Sequence, residues 1–156
     1  MSRLQMGRKG RLYVSATEPT IAAFKLLMRG KDITHTDEAE QVAGSARDLA
    51  YKVYDQGEKD FGIEIELNEL EGDPETGDGR DIVSDAYHSG AEIWVLLCKN
   101  VHSVASGEAV LAHCKVFSNG VDHPEGDFAK RPVILKPSDP DNEPTRVPTP
   151  YEDPED

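Results

Sequence analysis

The residues that could carry chemistry are few and scattered. Five histidines, His35, His88, His102, His113 and His123, share no spacing that would put two metal ligands on one helix face or in a knuckle. Cys98 and Cys114 form no Cys-x-x-Cys pair and stand among apolar neighbours, so buried free thiols are expected rather than a nucleophile. On neighbouring strands they could meet only in a favourable register. The stretch Asp73-Pro74-Glu75-Thr76-Gly77-Asp78-Gly79-Arg80-Asp81 has the composition of a calcium loop. Its glycines and acids are out of step with the EF-hand order, and a solvated loop whose Asp81 or a neighbour caps a helix is expected instead. Neither a phosphate-binding glycine loop nor a Gly-x-Ser-x-Gly elbow occurs. Glu64 and Glu66 are two apart on one strand face, whereas catalytic acid pairs face each other across a cleft from different elements. A charged strand face is the simpler reading. The sequence thus supports no enzyme, no metal centre and no cofactor site.

The elements around these residues are mostly strands. Phe61-Gly62-Ile63-Glu64-Ile65-Glu66-Leu67 alternates apolar with small or acidic residues, the pattern of a half-buried strand. Ile82, Val83, Ala86 and Tyr87 fall at helical spacing, Asp81 opens that segment and Gly90 closes it, so a helix is expected over 81–89. A nearly continuous apolar run at 91–98 reads as a strand covered on both sides. It is joined to a strand at 109–118 by a loop holding Gly107. There Val110, Ala112, Cys114 and Val116 share one face while His113 and Lys115 take the other. Residues 128–135 give a last strand, with Pro132 hinting at an edge. Upstream, Leu12-Tyr13-Val14 begins order. The run 21–28 favours helix by propensity, but alternation and β-branching further on favour a strand over 24–34. The polar, acidic stretch 37–45 reads as a long loop, 46–54 as a second half-buried strand, and 55–59 as the turn returning it onto 61–67.

At 156 residues the chain is long enough for one core without metal or disulfides. Thirty acidic residues against 17 basic ones give a net charge of -13, which argues against wrapping DNA or binding an anionic membrane. Residues 1–10 read as a flexible basic arm with Arg3, Arg8 and Lys9. No apolar stretch follows it, so a cytoplasmic product without membrane insertion is expected. Residues 11–136 form the domain. From Pro137 to the end the chain is acidic and proline-rich, and an extended or disordered tail is expected. Six or seven strands with one helix make the fold class mostly β: an antiparallel β-sandwich or partly open barrel with one flanking α-helix.

The order of these features resembles the phage tail tube proteins of long-tailed phages and prophages. The likeness is carried by Gly10-Arg11-Leu12-Tyr13-Val14, by Lys31-Asp32-Ile33-Thr34, by Ala46-Arg47-Asp48-Leu49, and by Asp60-Phe61-Gly62-Ile63-Glu64-Ile65-Glu66-Leu67. It continues through Asp81-Ile82-Val83-Ser84-Asp85-Ala86-Tyr87-His88-Ser89-Gly90 with the strand after it, and closes on Arg131-Pro132-Val133-Ile134-Leu135-Lys136-Pro137-Ser138. The expanded loop 70–80 and the proline-rich tail fall outside the likeness. The resemblance implies a structural subunit of hexameric rings that stack into a hollow tube in the virion tail, assembled in the host cytoplasm. DNA would transit its lumen without sequence-specific binding, and tape-measure and tail terminator proteins would be partners. On this likeness Glu64 and Glu66 are candidate lumen residues. The loop with Asp37, Glu38, Glu40 and Ser45 would reach the neighbouring ring or subunit, and the helix with Asp81, Ile82, Ala86 and Tyr87 would be outer support. A tube or tail-completion protein of a contractile injection system is the related alternative. A β-sandwich binding module is the unrelated one, and Trp94, inside a buried-looking strand, offers it little.

Overall fold

The computed structural model describes residues 10–27, 30–44, 53–68, 78–99, 108–118, 120, 129–138, 141 and 143–153. Among them the elements run β1 (Arg11–Ser15), β2 (Lys25–Leu26), β3 (Gly30–Gly44), β4 (Val53–Asn68), α1 (Arg80–Ser89), β5 (Ile93–Cys98), β6 (Glu108–Ser118), β7 (Lys130–Pro137) and β8 (Thr145–Pro148). The strands form one antiparallel sheet in the order β2-β1-β5-β6-β7-β4-β3, with β8 paired to β6. Its end strands β2 and β3 do not pair with each other, so the sheet is open and not a closed barrel.

Strict alternation places the core. Phe61, Ile63, Ile65 and Leu67 on β4, Val133 and Leu135 on β7, Ala112, Cys114 and Val116 on β6, Ile93 and Val95 on β5, and Leu12 and Val14 on β1 share one cluster. Val83 and Ala86 of α1 complete it, with Ile82 packed alongside. Full burial of an aliphatic side chain of this size contributes about 1.5–3 kcal/mol, so this inner face dominates the stability. The helix begins where its chemistry allows. Gly79 is the N-cap residue without a side-chain cap, and Asp81 is exposed in the first turn, where its charge faces the positive end of the helix dipole. Asp81 therefore makes no cap, and of its neighbours Asp78 takes a first-turn amide. Asp78 accepts the Arg80 N–H at 3.1 Å and lies 3.3 Å from the Arg80 Nε, both residues buried. A Cβ on Gly79 would stand 2.5 Å from Val14 Cγ2 and 3.1 Å from the Lys25 carbonyl, so only glycine lets the helix start against β1 and β2. The helix stops at Gly90, whose φ of 74° is left-handed and whose N–H donates to the Ala86 carbonyl.

Three expectations are corrected. Residues 37–44 are not a loop: they form the outer half of β3, paired with β4 from Asp37↔Phe61 to Gly44↔Val53. The stretch 55–59 is not a turn, because β4 passes through it unbroken. There Gly57 and Glu58 stand opposite Glu40 alone, so the glycine marks a β-bulge. β7 is not an edge strand, since it lies between β6 and β4. Among the described residues the β6 ladder ends at Ser118↔Ile134, so no β6 residue stands in register with Pro132, where its missing N–H would count. The strand expected at 46–54 lies outside the described residues except for Val53 and Tyr54, which open β4. The arm at 1–9 and most of the calcium-like loop also lie outside them.

The chain beyond Pro137 returns to the sheet. Pro137 pairs with Cys114 and Thr145 with Leu111, so β7 and β8 lie along the same side of β6. Seven residues, 138–144, separate Pro137 from Thr145 in sequence, whereas their partners on β6 are separated by two, Ala112 and His113. Past β8, Tyr151 is buried in a second cluster with Tyr13, Leu96, Cys98 and Ala109 on the outer face of the sheet. Its ring meets Phe24 edge-on at 5.8 Å, and its hydroxyl donates to the Pro19 carbonyl at 2.5 Å. The Ile21 N–H donates to Asp153 Oδ1 at 2.7 Å, so the C-terminal strap holds the turn after β1.

Candidate functional site

The outer face divides at β6. On one side the strap covers β1, β5 and the start of β6; on the other, the segment β6-β7-β4-β3 carries its polar face to solvent. Asp60, Gly62, Glu64 and Glu66 follow one another along this face of β4, with Asp60 and Glu64 exposed and Glu66 half-buried. Alternation thus puts the two glutamates together, opposite to the core residues of the same strand.

Their surroundings are not uniformly acidic. Lys130 of β7 lies 3.8 Å from Glu66, and Lys136 of β7 stands in register with Lys115 of β6. The β3 residues opposite are Thr36 at Gly62 and Thr34 at Glu64. The missing side chain of Gly62 leaves an open groove of about 240 Å³, lined by Thr34, Thr36, Asp60, Glu64, Ile134 and Lys136. The face is a mosaic of both charges with one depression over Gly62.

Two strand edges bound the segment. β5 pairs with β6 from Val110 to Cys114, and on that side the residues from Lys115 to the end of β6 have no strand beside them among the described residues. At the far end β3 has no strand on its outer edge among the described residues. The hairpin extends further still, because β4 pairs with β7 from Ile63 onward and, among the described residues, 53–62 pair with β3 alone. Asp37, Glu38 and Glu40 sit on this two-stranded extension, exposed, as do Gln56, Glu58 and Lys59. Ser45 lies outside the described residues. A lone two-stranded ribbon is marginal in water, so a partner for it is physically reasonable.

The remaining candidates separate from this face. Ala86 is buried under the sheet, Ile82 is half-buried beside it, and Asp81 and Tyr87 are exposed on α1. Cys98 belongs to the outer cluster and Cys114 to the inner one, both as free thiols on opposite faces. Burial pushes the Cys98 thiol up to about 11 and the Cys114 thiol up to about 12, the latter aided by the nearby Glu92 carboxylate. His113 stacks on Trp94 at 4.3 Å, with its Nδ1 3.2 Å from Glu92 Oε2. His35 meets Phe61 edge-on at 5.0 Å. Both are packing contacts. His102 and His123 lie outside the described residues. The sequence reading overlooked Phe117, 56% exposed at the bulge where β6 carries an extra residue between Val116 and Ser118. The available signal was an aromatic at the polar phase of an alternating strand.

No protein-family model matches the sequence, and no curated protein does. Solved structures do match. The SPP1 tail tube, determined by solid-state NMR and cryo-EM, aligns over 96% of this chain and 81% of its own at a TM-score of 0.69 and 12% identity. The chain has the tail-tube fold. The tail of an empty gene transfer agent particle, refined with helical C6 symmetry, shares the tail-tube fold over 94% of this chain and 99% of its own, at a TM-score of 0.66 and 11% identity. The six-fold symmetrised anti-feeding prophage baseplate contains a chain with a TM-score of 0.60 and 11% identity, covering 95% of this chain and 98% of that one.

Proposed function

We propose that this chain is the structural subunit of a phage tail tube, a self-assembling protein with no catalytic role of its own. Copies join into hexameric rings, the rings stack, and the lumen conducts DNA to the host. The observation that supports this most directly is the pair of open edges bounding β6-β7-β4-β3, within a tail-tube fold. The β6 edge and the β3 edge are different surfaces, so a contact between them is heterologous and repeats around a ring. Strand directions alternate through the segment, and the β6 edge of one copy meets β3 of the next in the antiparallel sense. The six-fold symmetry of two neighbouring structures supports six copies.

Glu64 and Glu66 then face the lumen, where carboxylates repel phosphates and keep DNA from sticking through counterion-releasing contacts. The hairpin with Asp37, Glu38 and Glu40, and Ser45 beyond it, reaches the neighbouring ring or subunit. α1, with Asp81, Ile82, Ala86 and Tyr87, backs the sheet from the other side. Tape-measure and terminator proteins are the partners of such a tube, which is assembled in the host cytoplasm and resides in the virion tail. A tube protein of a contractile injection system is the second reading, favoured by the anti-feeding prophage neighbour. Negative-stain microscopy and light scattering of the purified protein test both. Rings or tubes are expected, and a strict monomer at high concentration refutes the two together.

A further inference from the structure

Phe117 and the groove over Gly62 share one face at opposite ends of the open-edged segment. We propose that in the assembled ring Phe117 of one copy seats in the Gly62 groove of the next, with Lys115 of the first copy pairing Asp60 and Glu64 of the second. The inference rests on the tube reading, since it needs β6 of one copy beside β3 of its neighbour.

Four observations carry it. Phe117 is a large apolar side chain presented to solvent by a bulge, a device that re-aims a residue at the rim of a sheet. The groove of about 240 Å³ exceeds the roughly 150 Å³ in which a buried apolar cavity holds benzene. Gly62 leaves it open, and Thr34, Thr36 and Ile134 line it together with the charged Asp60, Glu64 and Lys136. Reach is set by the near wall: with β6 of the neighbour beside β3, β4 lies two strand spacings away, about 9.6 Å, and the ring enters across Thr34 and Thr36 of β3, which line the groove on that side. Charge agrees as well. Lys115 stands opposite Lys136, and the extra residue Phe117 lies beside Ser118 opposite Ile134, on the face that carries Asp60, Gly62 and Glu64, so a cation and a ring meet two acids and a gap. Lys115 and Lys136 are a like-charge pair that an incoming carboxylate relieves.

The test uses the full chain and three variants. Phe117→Ala removes the knob. Gly62→Leu fills the groove, and its Cβ is accommodated within the subunit, lying 4.0 Å from the nearest atoms, the Leu135 carbonyl oxygen and Lys136 Cε. Circular dichroism melts confirm that both fold. The critical concentration for assembly, read by sedimentation and microscopy, is expected to rise on the order of thirty-fold for each, as for a central aromatic anchor. The third, Phe117→Cys combined with Thr36→Cys, is expected to form disulfide-linked ladders under oxidation up to the ring size, because the native thiols are buried. Wild-type rings together with unchanged assembly of both single variants and no ladder overturn the seam contact and leave the tube reading standing. A wild-type chain that never assembles overturns both.

Discussion

Replacing Gly79 by alanine puts one methyl group where the start of α1 meets β1 and β2. The added Cβ stands 2.5 Å from Val14 Cγ2, a side chain with no exposed surface, and 3.1 Å from the backbone carbonyl of Lys25. Neither neighbour is a flexible tip, so the contact is relieved only by moving a core strand or the helix, at about 1–3 kcal/mol for overpacking. Alanine is also poorer than glycine at an N-cap, by about 0.5 kcal/mol. The Gly79 backbone, at φ -83° and ψ 3°, suits any residue, so alanine gains about 0.4–1 kcal/mol by restricting the unfolded chain. The net is a destabilisation of about 2 kcal/mol. For a chain of this size the melting temperature falls by about 4–8 °C in a calorimetric or dichroism melt. Hydrogen exchange locates the damage: the amides of Gly79 and Leu27, which bond the Leu26 and Leu12 carbonyls, lose protection first. Gly90→Ala is the contrast, since nothing lies within 4 Å of its Cβ and its cost of about 1 kcal/mol comes from the left-handed φ alone. A Gly79→Ala variant that melts with or above the wild type refutes the claim that the helix start is clamped against the sheet.

Reversing both Glu64 and Glu66 to lysine leaves the subunit folded, because the Lys130 pair it breaks is partly solvated and contributes about 0.5 kcal/mol. Infectivity of particles carrying the double variant is expected to fall, and unchanged DNA delivery refutes the lumen assignment. The cysteines report on alkaline stability. Both thiol pKa values are raised in the folded chain, so their contribution is intact below the ordinary thiol range near pH 9 and is lost as pH rises toward 11 and 12. Alkylation at pH 8 is expected to be slow in the native protein and to follow the denaturant transition; rapid native labelling contradicts the burial. Tyr151→Phe removes the hydroxyl bond to Pro19 and costs about 1 kcal/mol, measured by urea midpoint. Truncation after residue 144 uncovers the outer cluster and is expected to bring strong dye binding by exposed apolar surface. Unchanged dye binding refutes the strap as its cover.

Where one face of an element is buried and the other wet, its place was legible from the residues. Phe61, Ile63, Ile65 and Leu67 reported the core face of β4, and Val83 and Ala86 that of α1 between Asp81 and Gly90. The hairpin was illegible for the opposite reason. Consecutive residues Asp37 and Glu38, Glu40 and Gln41, and Glu58 and Lys59 are all exposed, so the alternation of polarity is lost there, and Gly57 gave a turn signal while serving a bulge. Pro132 pointed to an edge because a missing N–H matters on the side where a neighbour bonds, and sequence does not say where the neighbour strand ends. The proline-rich tail hid one buried aromatic, Tyr151, whose partners Phe24 and Pro19 lie more than a hundred residues away. Of the candidate site, the acidic pair was readable, whereas the groove and Phe117 depend on which strands become neighbours.

The connection between β7 and β8 separates two properties that are normally bound together in a sheet, chain length and register. Pro137 and Thr145 are held by β6 residues three apart, whatever runs between them. One residue inserted within β7 or β8 would turn every following side chain to the wrong face. The same residue inserted at 138–144 adds only the slowly growing entropy of a longer loop. The connection is thus where this chain can gain sequence, whether by descent or by engineering, while the core and the open edges keep their alignment.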